Sequence, residues 1–79
     1  MSTVTLYGKP GCHLCDDARE MLERLRADHS FRLVERDITE DEVLHRAYLE
    51  RIPVVDVDGA ATLELLIDEQ ELRRVLDTL

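Results

Sequence analysis

"LYGKPGCHLCDDAREML", residues 6–22, decides how the rest of the chain is read. The β-type run Ser2–Gly8 ends at Gly8 and Pro10-Gly11, residues that punctuate strands. Ala18, Met21, Leu22 and Leu25 then recur at the i, i+3, i+4, i+7 spacing of an amphipathic helix. Glu20, Glu23, Arg24 and Asp28 fall on its other face. Between strand and helix stand Cys12-His13-Leu14-Cys15, the chain's only two cysteines. Such a pair can be half of a metal site, a structural crosslink or a reactive dithiol.

A structural zinc site takes four ligands, usually as two closely spaced pairs. The second pair is missing here: His29 and His45 are far apart in sequence, and His13 lies inside the CxxC itself. No metal is expected. A Cys12–Cys15 bridge would close so short a loop that its entropic stabilisation is small. The dithiol reading has a mechanism. Cys12 falls at the first turn of the helix, where unpartnered N–H groups and the positive end of the helix dipole favour a thiolate. Cys15, one turn along, is placed to attack a mixed disulfide formed at Cys12. Lys9 and a protonated His13 add positive potential, whereas Asp16 and Asp17 favour the helix start but oppose the thiolate.

Further along, "FRLVERDI" (31–38) reads as a second strand. Thr39-Glu40-Asp41-Glu42 has the pattern of a capping box, and Val43, Leu44, Ala47 and Tyr48 would form the buried face of the short helix it opens. Arg51-Ile52-Pro53 interrupts that helix. "VVDV" (54–57), a hairpin signal at Asp58-Gly59 and "ATLELL" (61–66) read as a strand pair. Asp68-Glu69-Gln70-Glu71 resembles a second capping box, followed by an apolar stripe of Leu72, Val75, Leu76 and Leu79. The order is β-α-β-α-β-β-α. The first βαβ unit makes strands one and two parallel, and the hairpin makes three and four antiparallel. The expected fold is α/β: a mixed four-stranded sheet with helices on both faces, formed by residues 1–79 as a single domain.

The formal charge of −8 argues against a nucleic-acid partner, which needs a basic footprint. No apolar run approaches the roughly 20 residues of a membrane helix. "MSTVTLYG" has neither the basic nor the apolar region of a signal peptide, so the protein is expected to be cytoplasmic, where disulfides are usually transient and catalytic. His29 and His45 read as solvated residues, and Tyr7 and Tyr48 as packing residues at the core or its rim.

"LYGKPGCHLC" followed by a helix, then "RIPVV" and "DG", resembles the glutaredoxins of the thioredoxin-fold superfamily, and in particular the small bacterial glutaredoxin-like group with Cys-His-Leu-Cys. The resemblance spans essentially the whole chain and implies a thioredoxin/glutaredoxin-like fold. It implies a thiol–disulfide oxidoreductase with Cys12 and Cys15 as its catalytic residues. Lys9 then matches the lysine of a Tyr-Ser-Lys-Pro lead-in that contacts a carboxylate of a thiol substrate. Pro53 matches a cis-proline facing the CxxC, and Ile52 would offer its backbone to an extended substrate segment. His13, Leu14 and Asp68 complete the implied substrate-binding set.

Three departures accompany it. Cys-Pro-Tyr-Cys becomes Cys-His-Leu-Cys, Thr-Val-Pro becomes Arg51-Ile52-Pro53, and "LLIDE" stands where Gly-Gly-x-Asp would open the last helix. Leucine and isoleucine adopt positive φ less cheaply than glycine, so the backbone nest of a Gly-Gly turn is expected to be lost. Glutathione is accordingly expected as a weak co-substrate, with no tightly bound cofactor. The expected partners are disulfide-containing proteins or small thiols, acting on a monomer; the reductant is not specified by the sequence. Two other readings stay open: a thioredoxin-fold module with idle thiols, and a carrier holding an iron–sulfur cluster between two subunits.

Overall fold

Alternation along the first strand sets the layers. Val4 and Leu6 are buried on one side of it, while Tyr7 points to the other. In the computed structural model, which describes residues 2–79, this strand is β1 (Ser2–Gly8). It is followed by α1 (His13–Leu25), β2 (Phe31–Asp37), α2 (Glu42–Tyr48), β3 (Val54–Val57), β4 (Ala61–Glu64) and α3 (Glu69–Asp77). The four-stranded sheet has the order β2-β1-β3-β4. β1 runs parallel to β2, with Ser2 opposite Phe31 and Gly8 opposite Asp37. It runs antiparallel to β3, with Val4 opposite Val57 and Tyr7 opposite Val54. The mixed sheet and the β-α-β-α-β-β-α order are those expected.

On one face, Val4, Leu6, Phe31, Val55, Val57 and Leu63 meet Ala18, Leu22 and Leu25 of α1 and Leu72 and Leu76 of α3. Burial of these side chains is worth about 1.5–3 kcal/mol each for the larger ones, which is what holds a chain this short together. On the other face Tyr7 meets Tyr48 of α2, their ring centroids 4.8 Å apart. Helices therefore cover both faces, though unequally.

Local details differ from the sequence pattern. The cap of α2 is Asp41, not Thr39: its carboxylate accepts from Val43 N at 2.9 Å and Leu44 N at 3.2 Å. Thr39 belongs to a preceding 3-10 turn, Ile38–Glu40, and gives its hydroxyl to Asp37 at 2.6 Å. A carboxylate that takes two helix N–H groups outcompetes a single hydroxyl, and the turn lets Ile38 bury completely. α2 fully buries none of its residues. Only Leu44 and Tyr48 pack against the site cluster, while Val43, one position round the helix from Leu44, is 75% exposed. Asp68 does cap α3, accepting from Gln70 N at 2.9 Å. The Asp58-Gly59 turn closes with Ala60 N donating to Val57 O at 2.8 Å, both turn residues having positive φ. β4 ends at Glu64 rather than Leu66, because Leu65 turns into the left-handed region (φ 62) and sends its N–H back to Pro53 O at 2.9 Å.

His29 is not a solvated residue. Its Nδ1 lies 3.2 Å from Leu25 O at the end of α1, and its Nε2 faces Asp77 Oδ1 at the end of α3. Both partners are acceptors, so only the doubly protonated ring satisfies both contacts. The hydrogen bond to Asp77 raises the His29 pKa above its ordinary value, against a smaller opposing effect of burial.

A raised folded-state pKa contributes stability that is complete below the unfolded value, about 6.5, and is lost as pH climbs through the folded value. The urea midpoint should fall over that rise. Asp77 is well exposed, so the loss should stay below about 1 kcal/mol. His29→Gln should remove most of this pH dependence; an identical profile in that variant would assign it elsewhere.

Candidate active site

α1 begins at His13, and Cys12 is its N-cap, in extended conformation. The Cys12 sulfur accepts from Cys15 N at 3.2 Å, the role an aspartate or serine oxygen usually has at this position. It thus sits on the open N–H groups of a helix of 13 residues, at the positive end of the dipole. Cys12 and Cys15 are joined as a disulfide, with Cα atoms 5.2 Å apart. Their surroundings differ: Cys12 is half-buried, whereas Cys15 is 2% exposed and packs with Ile38 and Ile52. Asp16, which would oppose a thiolate at Cys12, pairs with Arg19, whose Nη1 is 3.1 Å from its carboxylate. Arg19 also pairs with Glu35, tying the first turns of α1 to β2.

The β3 side of the disulfide carries the substrate-edge candidates. The Ile52–Pro53 peptide is cis, as the resemblance implies. Ile52 shares a cluster with Cys12, Cys15, Tyr7 and Tyr48. Pro53 is buried, and the β1–β3 register puts it level with Gly8. The Ile52 N–H is already engaged, donating to Tyr48 O at 3.0 Å. Pro53 O and Arg51 O both accept from Leu65 N. Among the described residues the Ile52 carbonyl has no hydrogen-bond partner. Lys9 lies on the opposite, β2 side. It lines a cleft of about 330 Å³ together with Gly8, Cys15, Asp16, Arg36 and Asp37. His13 is exposed on the first turn of α1, and Leu14 beside it is 43% exposed. Asp68 caps α3 and bonds within its own helix. The structure thus gathers Cys12, Cys15 and Ile52, places Pro53 beside them by register and Lys9 across from them, and leaves Asp68 at a helix end with no recorded contact to the pair.

Sequence reasoning missed two parts of this site. Tyr48 and Arg51 form a stack, with the guanidinium 5.2 Å from the ring centroid, and Arg51 is held there by an ion pair to Glu64. Their i, i+3 spacing on a helix end was the available signal. Burial, and then the neighbouring Tyr48 and Asp56, raise the Tyr7 hydroxyl pKa above its ordinary value, so Tyr7 stays protonated under the disulfide. The second is Gly8, discussed below; it carries no signal beyond ending a strand.

Residues 3–77 match the model of a family described as Glutaredoxin-like domain (DUF836). The chain belongs to that family. Among solved structures, an X-ray structure of a structural-genomics target protein from X. campestris is 37% identical, with a TM-score of 0.78, covering 96% of this chain and 97% of that one. A glutaredoxin-like chain such as this one is also similar to the solution structure of a protein from Nitrosomonas europaea, at 27% identity and TM-score 0.80, covering 95% and 91% of the two chains. A mutant thioredoxin from Halobacterium salinarum shares the fold at 21% identity, with a TM-score of 0.78 over 98% of this chain and 73% of that one. No curated protein gives a significant sequence match. A four-stranded thioredoxin-type fold carrying a Cys12–Cys15 pair fits a redox role.

In the turn after β4 Leu65 takes the left-handed conformation, at φ 62, whereas Leu66 and Ile67 do not. A leucine held there costs about 1–2 kcal/mol of backbone strain. Leu65→Ala and Leu65→Gly remove the same side chain beyond Cβ, so comparing them isolates that strain. Leu65→Gly should be more stable than Leu65→Ala by about 1 kcal/mol in urea unfolding, the reverse of the usual order. An alanine variant that is the more stable of the two would mean the turn relaxes.

Proposed function

We propose that this protein is a thiol–disulfide oxidoreductase that reduces protein or mixed disulfides through Cys12 and Cys15. The observation that carries the reading is the asymmetry of the pair: Cys12 caps α1 and is partly open to solvent, while Cys15 is buried one turn behind it. In the reduced protein, helix N–H groups favour the Cys12 thiolate. That thiolate attacks one sulfur of a substrate disulfide; a Cys12–substrate bond forms, the substrate S–S bond breaks and one substrate thiolate leaves. Cys15, its proton lost to solvent, then attacks Cys12 Sγ; the Cys12–substrate bond breaks, the second substrate sulfur leaves as a thiolate that takes up a proton from solvent, and the Cys12–Cys15 disulfide forms. The disulfide-bonded state described here is that end point, which an external thiol reductant must return to the dithiol.

The substrate edge is the Ile52 carbonyl beside Pro53, where a segment can add as a short strand. Leu14 on the first turn of α1 and Leu65 and Leu66 after β4 are 43%, 47% and 80% exposed. Apolar side chains flanking a protein disulfide suit this surface better than a small anionic thiol does, given the chain's formal charge of −8. Lys9 remains to position a carboxylate, and Asp68 marks the α3 end where a glutathionyl group would reach. Glutathione is thus a weak co-substrate in this reading. The protein acts as a cytoplasmic monomer without a tightly bound cofactor.

Division of labour between the thiols gives the direct test. In the reduced protein Cys12 should alkylate faster than Cys15. Cys12→Ser should abolish disulfide reduction, and Cys15→Ser should accumulate mixed disulfides seen by mass spectrometry. Equal alkylation rates, or full activity in Cys12→Ser, would rule the assignment out. Substrate preference is checked by comparing turnover of a glutathionylated peptide with that of a protein disulfide, both regenerated by excess dithiol. The protein disulfide should be the faster; faster deglutathionylation saturating at low micromolar concentration would instead mark an ordinary glutaredoxin.

A further inference from the structure

β1 is bound along both edges, to β2 and to β3, and its last residue is Gly8. A Cβ placed on Gly8 would stand 3.0 Å from Cys15 Sγ and 3.1 Å from Cys15 Cβ. Both are tighter than ordinary van der Waals contacts, so a side chain at position 8 makes its neighbour give by a few tenths of an ångström. Gly8 does not have positive φ, unlike Gly11 and Gly59, so this contact and not the backbone is what opposes a side chain. The atoms that must give belong to Cys15, which is 2% exposed and packed with Ile38 and Ile52.

We infer that Gly8 is the positioning residue for the resolving thiol, its bare backbone giving Cys15 Sγ the space it occupies when bonded to Cys12. The inference rests on reading Cys12 and Cys15 as a redox pair. The two close contacts respond differently to reduction. The approach to Cys15 Cβ is fixed by the backbone of α1 and is the same in both states. The approach to Sγ is tied to the disulfide, because the bridge holds Sγ in one rotamer; in the dithiol the thiol can turn to another staggered position. A side chain at position 8 therefore penalises the disulfide more than the dithiol.

Gly8→Ala should make the disulfide easier to reduce. At equilibrium with a dithiol such as dithiothreitol, the reagent gives up two electrons and two protons and closes to its cyclic disulfide. The Cys12–Cys15 bond breaks, and both sulfurs take up those electrons and protons as thiols. The equilibrium constant for reduction should rise about tenfold in Gly8→Ala, about 30 mV for this two-electron couple. The loss of thermal stability should likewise be larger in the oxidised than in the reduced form, a difference that a purely structural defect would not produce. A constant within twofold of the unaltered protein, or a shift the other way, would overturn the inference. If Gly8→Ala does not fold, Gly8→Ala/Cys15→Ala removes the sulfur: recovered folding supports the contact, and a double variant that is equally unfolded refutes it. This equilibrium needs no substrate turnover, so a catalytically idle pair, which would defeat the functional reading, leaves the measurement intact.

Discussion

Strand β1 is hydrogen-bonded on both edges, and the site is placed by that constraint. Its seven residues are matched along their whole length by β2, and Val4 to Tyr7 are matched again by β3. A strand held on both sides cannot slide without moving every apolar residue to the wrong face. Its end is therefore a fixed point. From it the chain passes through Pro10 and Gly11, the latter at φ 80, and reaches the N-cap of α1 at Cys12. The helix is fixed in turn by Ala18, Leu22 and Leu25 in the core. The disulfide lies where these two fixed elements meet.

That junction makes chemically unequal thiols out of identical side chains. Cys12 has the open N–H groups and the dipole of α1, with Asp16 paired to Arg19. Cys15 has instead the small-residue floor at Gly8 and an apolar wall of Ile38 and Ile52. Exposure and electrostatics thus differ in the same sense at the two sulfurs, which is the asymmetry on which the proposed function rests. Ile52 links the disulfide to the start of β3, since it packs on the pair and precedes Pro53. Its N–H, retained by Tyr48 O, is fixed by the end of α2.

Much of this was legible in the chain. The spacing of Ala18, Met21, Leu22 and Leu25, the Asp58-Gly59 turn and the CxxC after a strand determined element order, strand directions and the position of the dithiol, because each is a local rule that needs few neighbours. The resemblance carried by "LYGKPGCHLC" and "RIPVV" added the family and the cis bond at Pro53. What local rules could not decide was competition between them. Thr39 and Asp41 both offer a cap to α2, and the winner depends on Ile38 finding a buried place. Leu65 belongs by pattern to a strand, yet two carbonyls at Arg51 and Pro53 take its N–H and turn it left-handed. His29 looks solvated until the end of α3 brings Asp77 to it. The space that Cys15 occupies beside Gly8 likewise exists only once α1 has packed across β1: a sequence states which side chain is absent, whereas distances between residues far apart in the chain are set by the packing of whole elements.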